Sequence, residues 1–332
     1  LIHTLLQTFT DGIAVGSLYA LIALGYTLVF GILQFINFAH GDVFALGAWL
    51  TLVVAAHLTA GIAPNTAPPI WIVIVVPIAA IVLCAMVGFC IERFAYKPLR
   101  SAPKLNVLIT AIGVSLLMEN LGQLPWAFGT QPAQVPLLIV DRVVATLHSA
   151  DPQQNVDFHL VDLIVLLVAI ALMTAMQIII YKTKFGTAMR AVSFNAKAAA
   201  LMGINVDRII SLTFVTGSAL AGAAGFLYAL KYQQQTLQQT AASMWVLLGM
   251  KAFVAAVVGG IGNIRGAMLG GLLIGFVEHF GAAAGDLGNQ IGLWHSSINT
   301  SQYKDVYVFL LLILVLLIRP AGLLGKATVE KV

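Results

Sequence analysis

The 332-residue chain is 60% hydrophobic and only 9% charged. Soluble domains carry about 25% charged residues, so this chain cannot coat itself in polar surface and reads as an integral membrane protein. Its formal net charge of +4 is spread over loops, which bears on orientation across a bilayer rather than on a nucleic-acid partner.

The apolar runs outlast the roughly 20 residues needed to cross the hydrocarbon core, and they read as helices rather than as alternating barrel strands. The first predicted span covers 12–33. The N-terminal stretch has no basic run, so no cleaved signal is indicated and the first helix is the insertion signal. The second span covers 42–58, and the loop GIAPNTAPP leads to the third at 70–91. Cys84 and Cys90 share that third run and read as lipid- or helix-facing thiols, not as a disulfide or metal pair. The basic loop RFAYKPLRSAPK precedes a fourth span at 105–124. The longest polar stretch, 125–159, separates it from a fifth at 160–181. The loop 182–208 leads to a sixth span at 209–230. After KYQQQTLQQT come two shorter apolar pieces, 245–258 and 267–280, split by GGIGNIRG, and then a last span at 306–318.

Orientation follows from Lys and Arg. Arg93, Lys97, Arg100 and Lys104 lie in one loop; Lys182, Lys184, Arg190, Lys197 and Arg208 lie in another; Arg319, Lys326 and Lys331 lie in the tail. All fall on one side of the spans as drawn. The 125–159 stretch sets Arg142 against Asp141, Asp151 and Asp157. The positive-inside rule therefore makes 182–208 and the C-terminus cytoplasmic and 125–159 external, with the N-terminus outside. The expected fold is an all-α polytopic membrane protein of about eight transmembrane helices, with 1–332 a single transmembrane domain.

Residues 245–258 would rise only about 21 Å as a helix, short of the roughly 30 Å of hydrocarbon. The two short pieces are either half-helices meeting inside the membrane or an ordinary helix–turn–helix. QFINFAHGDVFALGAWL has the same look as GGIGNIRGAMLGGLLIG: an apolar run, a polar break and spaced small residues. Paired broken segments point to a pathway at a repeat interface, here a possible inverted internal repeat. Asn37, His40 and Gly41 at one break, and Gly259, Gly260, Gly262 and Asn263 at the other, are the candidate translocation-path residues.

Catalytic constellations are scarce. The seven histidines show no metal spacing. In the tail GLLGKAT, Pro320 stands where a phosphate-binding loop needs its first Gly, and a membrane helix precedes it instead of a strand. The chain is therefore not expected to be an enzyme or to hold a cofactor or metal, and any active transport draws its energy from another polypeptide. Ionisable residues inside spans each cost about 2.5–3.5 kcal/mol on insertion scales; Glu119, Lys251 and Glu278 qualify. Lys251 and Glu278 flank the same break and could pair, while Asp42 and Asp162 sit near span ends and read as water-exposed. Gly217, Gly222 and Gly225 form a small-residue strip, and Gly266 with Gly270 makes a small-xxx-small match, both signs of close helix packing.

In the 182–208 loop, Asn195 can cap a helix start and Gly203 can end it in a left-handed conformation. About two turns between them are too short to stand alone in water. That helix must pack on the chain's own surface or enter a partner's groove, with Ala199, Ala200, Leu201 and Met202 as small anchors.

This loop resembles the E-A-A-x-x-x-G coupling segment of ATP-binding-cassette importer permeases, with Lys197, Ala198, Ala199 and Gly203 in register and Lys in place of Glu. GSLYALIALGYTLVFGILQFINFAHGDVFALGAW, GTAMRAV, LMGINVDRIISLTFVTGSALAGAAGFLYA, KAFVAAVVGGIGNIRGAMLGGLLIG and RPAGLLGK extend the resemblance to most of the chain. They are similar to the high-affinity branched-chain amino acid permeases, specifically to the subunit usually paired with a second, homologous permease. The resemblance implies two cytoplasmic ATP-binding subunits, an external substrate-binding protein, a bacterial inner-membrane location in contact with lipid, and a branched-chain or related amino-acid substrate. Family members for other amino acids, urea or short amides are the alternatives. An ion-coupled secondary transporter using Lys251 and Glu278 is a rival from another class. Arg190, Asn195, Lys197, Ala198, Ala199, Leu201, Gly203, Ile204 and Asn205 are the residues expected to couple to the ATPase; the Lys at 197 removes any acid-mediated contact there.

Overall fold

In lipid every backbone N–H and C=O must be satisfied within its own segment or a closed barrel, and the apolar runs of this chain do so as helices. The computed structural model describes residues 1–63, 66–100, 102–147, 155–233, 236–237, 247–293 and 299–325. The expected start of the seventh span at Trp245, and the charges Asp151, Lys326 and Lys331, lie outside the described residues. The helices are α1 Ile2–Leu33, α2 Ala39–Leu58, α3 Ile70–Ile91, α4 Lys104–Gly122, α5 Leu160–Lys182, α6 Lys184–Phe194, α7 Ala196–Leu201, α8 Val206–Lys231, α9 Gly249–Gly259, α10 Ile264–Gln290 and α11 Lys304–Ile318. A π-helical turn over Glu92–Tyr96 and a 3-10 turn over Lys97–Leu99 continue α3. Among the described residues eight helices, with α11 extended by the 3-10 turn at Ser301–Tyr303, are long and apolar enough to cross a membrane, as expected; α9 is a shorter apolar one.

Two edges depart from the sequence reading for a physical reason. α1 starts at Ile2 rather than at residue 12. Its polar first turns stay helical because Gln7 bonds Asp11 one turn on, at 3.3 Å, and Thr8 returns its hydroxyl to the Thr4 carbonyl at 2.7 Å. α10 runs to Gln290, well past the expected 267–280 piece, so it is a full-length helix and only α9 is short. Packing against α1 sustains this Ala- and Gly-rich end where hydropathy alone fades.

α1 and α8 form the middle of the bundle and are mostly buried, whereas α3, α4, α5 and α11 lie at its rim and are mostly exposed. The inner helices are held close by small residues. Gly271 and Gly275 of α10 lie on the α1 backbone at Ala20 and Gly16, where a methyl group would overlap main-chain atoms. Gly266 and Gly270 face the other way, onto Gly259 and Ala255 of α9. The α8 strip is shared: Gly217 approaches Gly25, Gly222 meets Ala80 and Cys84 of α3, and Gly225 meets Phe44 and Ala48 of α2. Cys84 is buried at that contact and Cys90 is exposed, both as free thiols.

The contacts sort the helix ends onto two faces. On one, Ser193 of α6 donates to the Gly31 carbonyl at the end of α1, Asp207 at the start of α8 pairs with Lys97 and Arg100, and the 319–325 tail bonds the end of α9. On the other, Thr4 of α1 meets Gln290 at the end of α10, and Lys231 at the end of α8 pairs with Asp162 at the start of α5. The first face gathers the basic residues of 93–100, 182–208 and 319. Between Lys231 and Ile264 the chain must return from the second face to the first, and α9 is the described helical part of that return. On the second face the 125–159 stretch is not plain loop. β1 Ala133–Gln134 pairs with β4 Thr236–Leu237, and β2 Val143–Leu147 pairs with β3 Val156–His159, both antiparallel.

Candidate functional site

On the basic face the chain builds a small helical platform. Thr183 ends α5 and caps α6, accepting from the Gly186 N–H at 3.1 Å. Gly186 lies on the Ile179 and Ile180 carbonyls, a corner too tight for any side chain. α6 turns Met189 and Val192 inward. Asn195 then caps α7, its side-chain oxygen accepting from Ala198 N–H at 3.0 Å. Gly203 sits at φ +83°, and the N–H groups of Gly203 and Ile204 fold back onto the Ala200 and Ala199 carbonyls at 3.0 and 3.1 Å, a left-handed stop that favours glycine. Asn205 caps α8 by accepting from Arg208 N–H at 3.0 Å. The expected Asn195 start and Gly203 stop are therefore in place; the preceding helix α6, which has no hydropathy signal, was not foreseen.

α7 spans six residues, too few to persist unaided. Ala199 is its inward anchor, 4% exposed, so that side of α7 packs on this chain's own surface, one of the two arrangements the sequence left open. The outward side chains are apolar: Phe194 is 94% exposed, Leu201 89% and Met202 84%. Ala198, Lys197 and Arg190 are exposed beside them, and Ile204 is half-buried. Arg190 lies over the Tyr181 ring at 5.5 Å. Three large apolar groups among cations, on short helices held by caps, form a patch of the kind that marks a docking surface.

Deeper in the bundle the first break behaves unlike a turn. Gln34 leaves α1 with φ +55°, yet His40 lies against Gly25, eight residues back along α1, about 12 Å of helix. Residues 34–38 have thus run back into the bundle before α2 begins. Asn37 is buried and accepts from the Tyr96 hydroxyl at 2.6 Å. Gly41 meets Gly249 backbone to backbone, so the starts of α2 and α9 touch inside the bundle. Tyr26 flanks the junction, its ring 4.8 Å from His40 and 5.9 Å from Phe253. Asp42, read from sequence as wet, is 2% exposed, and its Oδ2 has no hydrogen-bond partner among the described residues. The reason is that α2 starts inside the bundle, so a residue near its end is not near water.

The second break lies elsewhere. Gly260 and Gly262 take φ +107° and +90°, and Asn263 caps α10 by accepting from Arg265 and Gly266 N–H. The tail seals this turn: Leu323 and Leu324 donate to the Val258 and Gly259 carbonyls at 2.8 and 3.0 Å, and Asn263 donates to Leu324 O at 2.7 Å. The two sets of path candidates are not brought together. Asn37, His40 and Gly41 lie inside the bundle, while Gly259, Gly260, Gly262 and Asn263 lie at its basic end. Gly249, with no polar neighbour in sequence to mark it, is what meets the first set.

Two of the three expected intramembrane charges, Lys251 and Glu278, form one cluster. Lys251 pairs with Glu278 at 2.8 Å and with Asp305 of α11 at 2.5 Å. Tyr19 donates to the other Glu278 oxygen at 2.8 Å, while Lys304 approaches the oxygen that Lys251 holds, at 3.8 Å. This ties α1, α9, α10 and α11 together. Glu119 is buried on α4. Among the described residues no group of acids, histidines and cysteines is placed to hold a metal ion.

Residues 8–316 match the family model described as branched-chain amino acid transport system / permease component. The chain is 38% identical to the high-affinity branched-chain amino acid transport system permease protein BraD of Pseudomonas aeruginosa, covering 100% of this chain and 99% of that one. It is also 38% identical to the corresponding permease protein LivH of Escherichia coli, covering 98% and 97%. A probable branched-chain amino acid transport permease of Methanocaldococcus jannaschii is 29% identical over 93% and 89%.

Proposed function

The chain belongs to the family of branched-chain amino acid transport permease components, and on that premise we propose how it works. It is the membrane-spanning permease subunit of an ATP-binding-cassette importer, and it forms the translocation path for branched-chain or closely related amino acids. The energy comes from two separate ATP-binding subunits, one of which docks on the α6–α7 platform of this chain. The single observation that carries this docking is the capped α7 helix with Phe194, Leu201 and Met202 outward and Ala199 inward. A groove on the ATPase takes these apolar side chains, with Arg190 and Lys197 at its rim. The basic face is cytoplasmic by the positive-inside rule, in the inner membrane of a bacterial cell. The opposite face, with 125–159, receives an external substrate-binding protein. A second, homologous permease completes the core through lipid-facing helices.

The path is proposed to run past Asn37, His40 and Gly41, where α2 and α9 begin inside the bundle. Gly259, Gly260, Gly262 and Asn263 form the basic-side end of the proposed path. An ion-gradient mechanism is disfavoured because Glu278 and Asp305 both pair with Lys251 rather than standing as a relay.

The test is co-purification with the ATPase subunits after Leu201→Glu with Met202→Glu. Each buried apolar anchor is worth about 1.5–3 kcal/mol, so the pair should weaken association at least about 150-fold while the permease still folds and inserts. ATP-dependent leucine uptake by the assembled complex should vanish with it. Undiminished association and uptake in the double variant would rule out the α7 docking site.

A further inference from the structure

α7 lies on the basic face, whereas Asn37 and His40 lie inside the bundle. A continuous set of polar contacts joins the two. α8 begins three residues after Gly203, and Asp207 in its first turn pairs with Lys97 at 2.9 Å and with Arg100. The same Arg100 guanidinium also pairs with Glu92. Glu92 is fully buried, and its other oxygen accepts from Ser211 of α8 at 2.6 Å. One Arg thus bridges two carboxylates, and the 92–100 segment is fastened to the first two turns of α8. The exposed Lys97–Asp207 pair adds little stiffness; the charge-assisted Arg100–Glu92–Ser211 contacts, centred on the fully buried Glu92, supply it.

Tyr96 lies in the same segment and faces the bundle. It is 1% exposed, with its ring 5.4 Å from Phe35 and 5.4 Å from Phe214 of α8. Its hydroxyl donates to Asn37. A buried polar side chain needs a hydrogen-bond partner, and here the partner of the Asn37 amide oxygen, at the 34–38 break, is carried by a segment that is itself anchored on α8. The π-helical turn over Glu92–Tyr96 is a local irregularity of the kind often found at functional sites.

We propose that Arg100 and Tyr96 are positioning residues of a relay. Arg100 makes the 92–100 segment move with the start of α8, and Tyr96 passes that movement to Asn37 at the break between α1 and α2. This rests on the docking of an ATPase at α7, because displacement of α7 is what the start of α8 would feel.

The experiment uses the assembled importer in liposomes and reads leucine uptake and ATP hydrolysis separately. Tyr96→Phe keeps the ring packing and removes only the hydroxyl. It should leave assembly intact and ATP hydrolysis running, while leucine transported per ATP falls about five- to tenfold, the scale of one buried hydrogen bond. Arg100→Ala should lower the same ratio. Arg100→Lys, which can hold one carboxylate but not both, should fall between Arg100→Ala and the unchanged protein. A Tyr96→Phe complex with an unchanged ratio overturns the relay. So does one in which uptake and hydrolysis fall together with the amount of assembled complex, which marks mere packing. If the unaltered chain neither binds nor stimulates an ATPase, the docking proposal itself fails and the relay with it.

Discussion

Lys251 carries the most concentrated charge problem in the bundle. It is almost entirely buried, between Glu278 and Asp305, with Tyr19 closing on the far Glu278 oxygen. Removing one member of a buried pair leaves its partner's charge stranded, at about 3–5 kcal/mol. Lys251→Met should therefore destabilise the purified protein by about that amount in thermal or denaturant unfolding. Lys251→Met with Glu278→Leu should recover much of the loss, since a well-packed apolar replacement is often neutral. A double variant no better than the single would show that Asp305, not Glu278, is the partner that matters. The possibility of this pair was legible in the sequence, because two opposite charges stood on either side of one break. Asp305 and Tyr19 were not legible, since neither lies near the break in sequence and only the packing of α11 and α1 brings them in. Asp42 shows the same limit in reverse: hydropathy placed it near water, and the re-entry of 34–38 buried it.

At the scale of the element, α7 was readable because caps are local. Asn195 and Gly203 act on backbone groups three and four residues away, so spacing alone locates both ends. Which side of α7 faces inward was not readable, and Ala199 turned out to be the inward residue. The α1–α10 seam was readable only as a tendency toward small residues. Its register depends on Gly271 and Gly275 meeting Ala20 and Gly16, which no local rule supplies. Gly275→Leu should force the two backbones apart, where overpacking typically costs about 1–3 kcal/mol. The expected outcome is a lower melting temperature and lost uptake. Gly31→Ala, at a position with open space around it, should change neither. If Gly275→Leu melts as the unchanged protein does, the close seam is wrong.

For the whole molecule, the helix ends sort onto two faces, with the start of α1 on one and the 319–325 tail on the other. A cysteine placed at exposed Lys197 should react with a membrane-impermeant maleimide only in inside-out vesicles. One at exposed Gln131 should react only in intact cells, both in a Cys90→Ser background. The reverse pattern would overturn the proposed orientation. The sequence by itself determined the class of molecule, the number of long helices, their order and the ends of α7. Each of these rests on composition, run length or groups within one helical turn of each other. The tertiary structure decided the rest. The run from Gln34 to Phe38 turns back into the bundle, Gly41 meets Gly249, and α10 has one glycine edge for α1 and another for α9. These depend on which surfaces approach which, and residues far apart in the chain set them together.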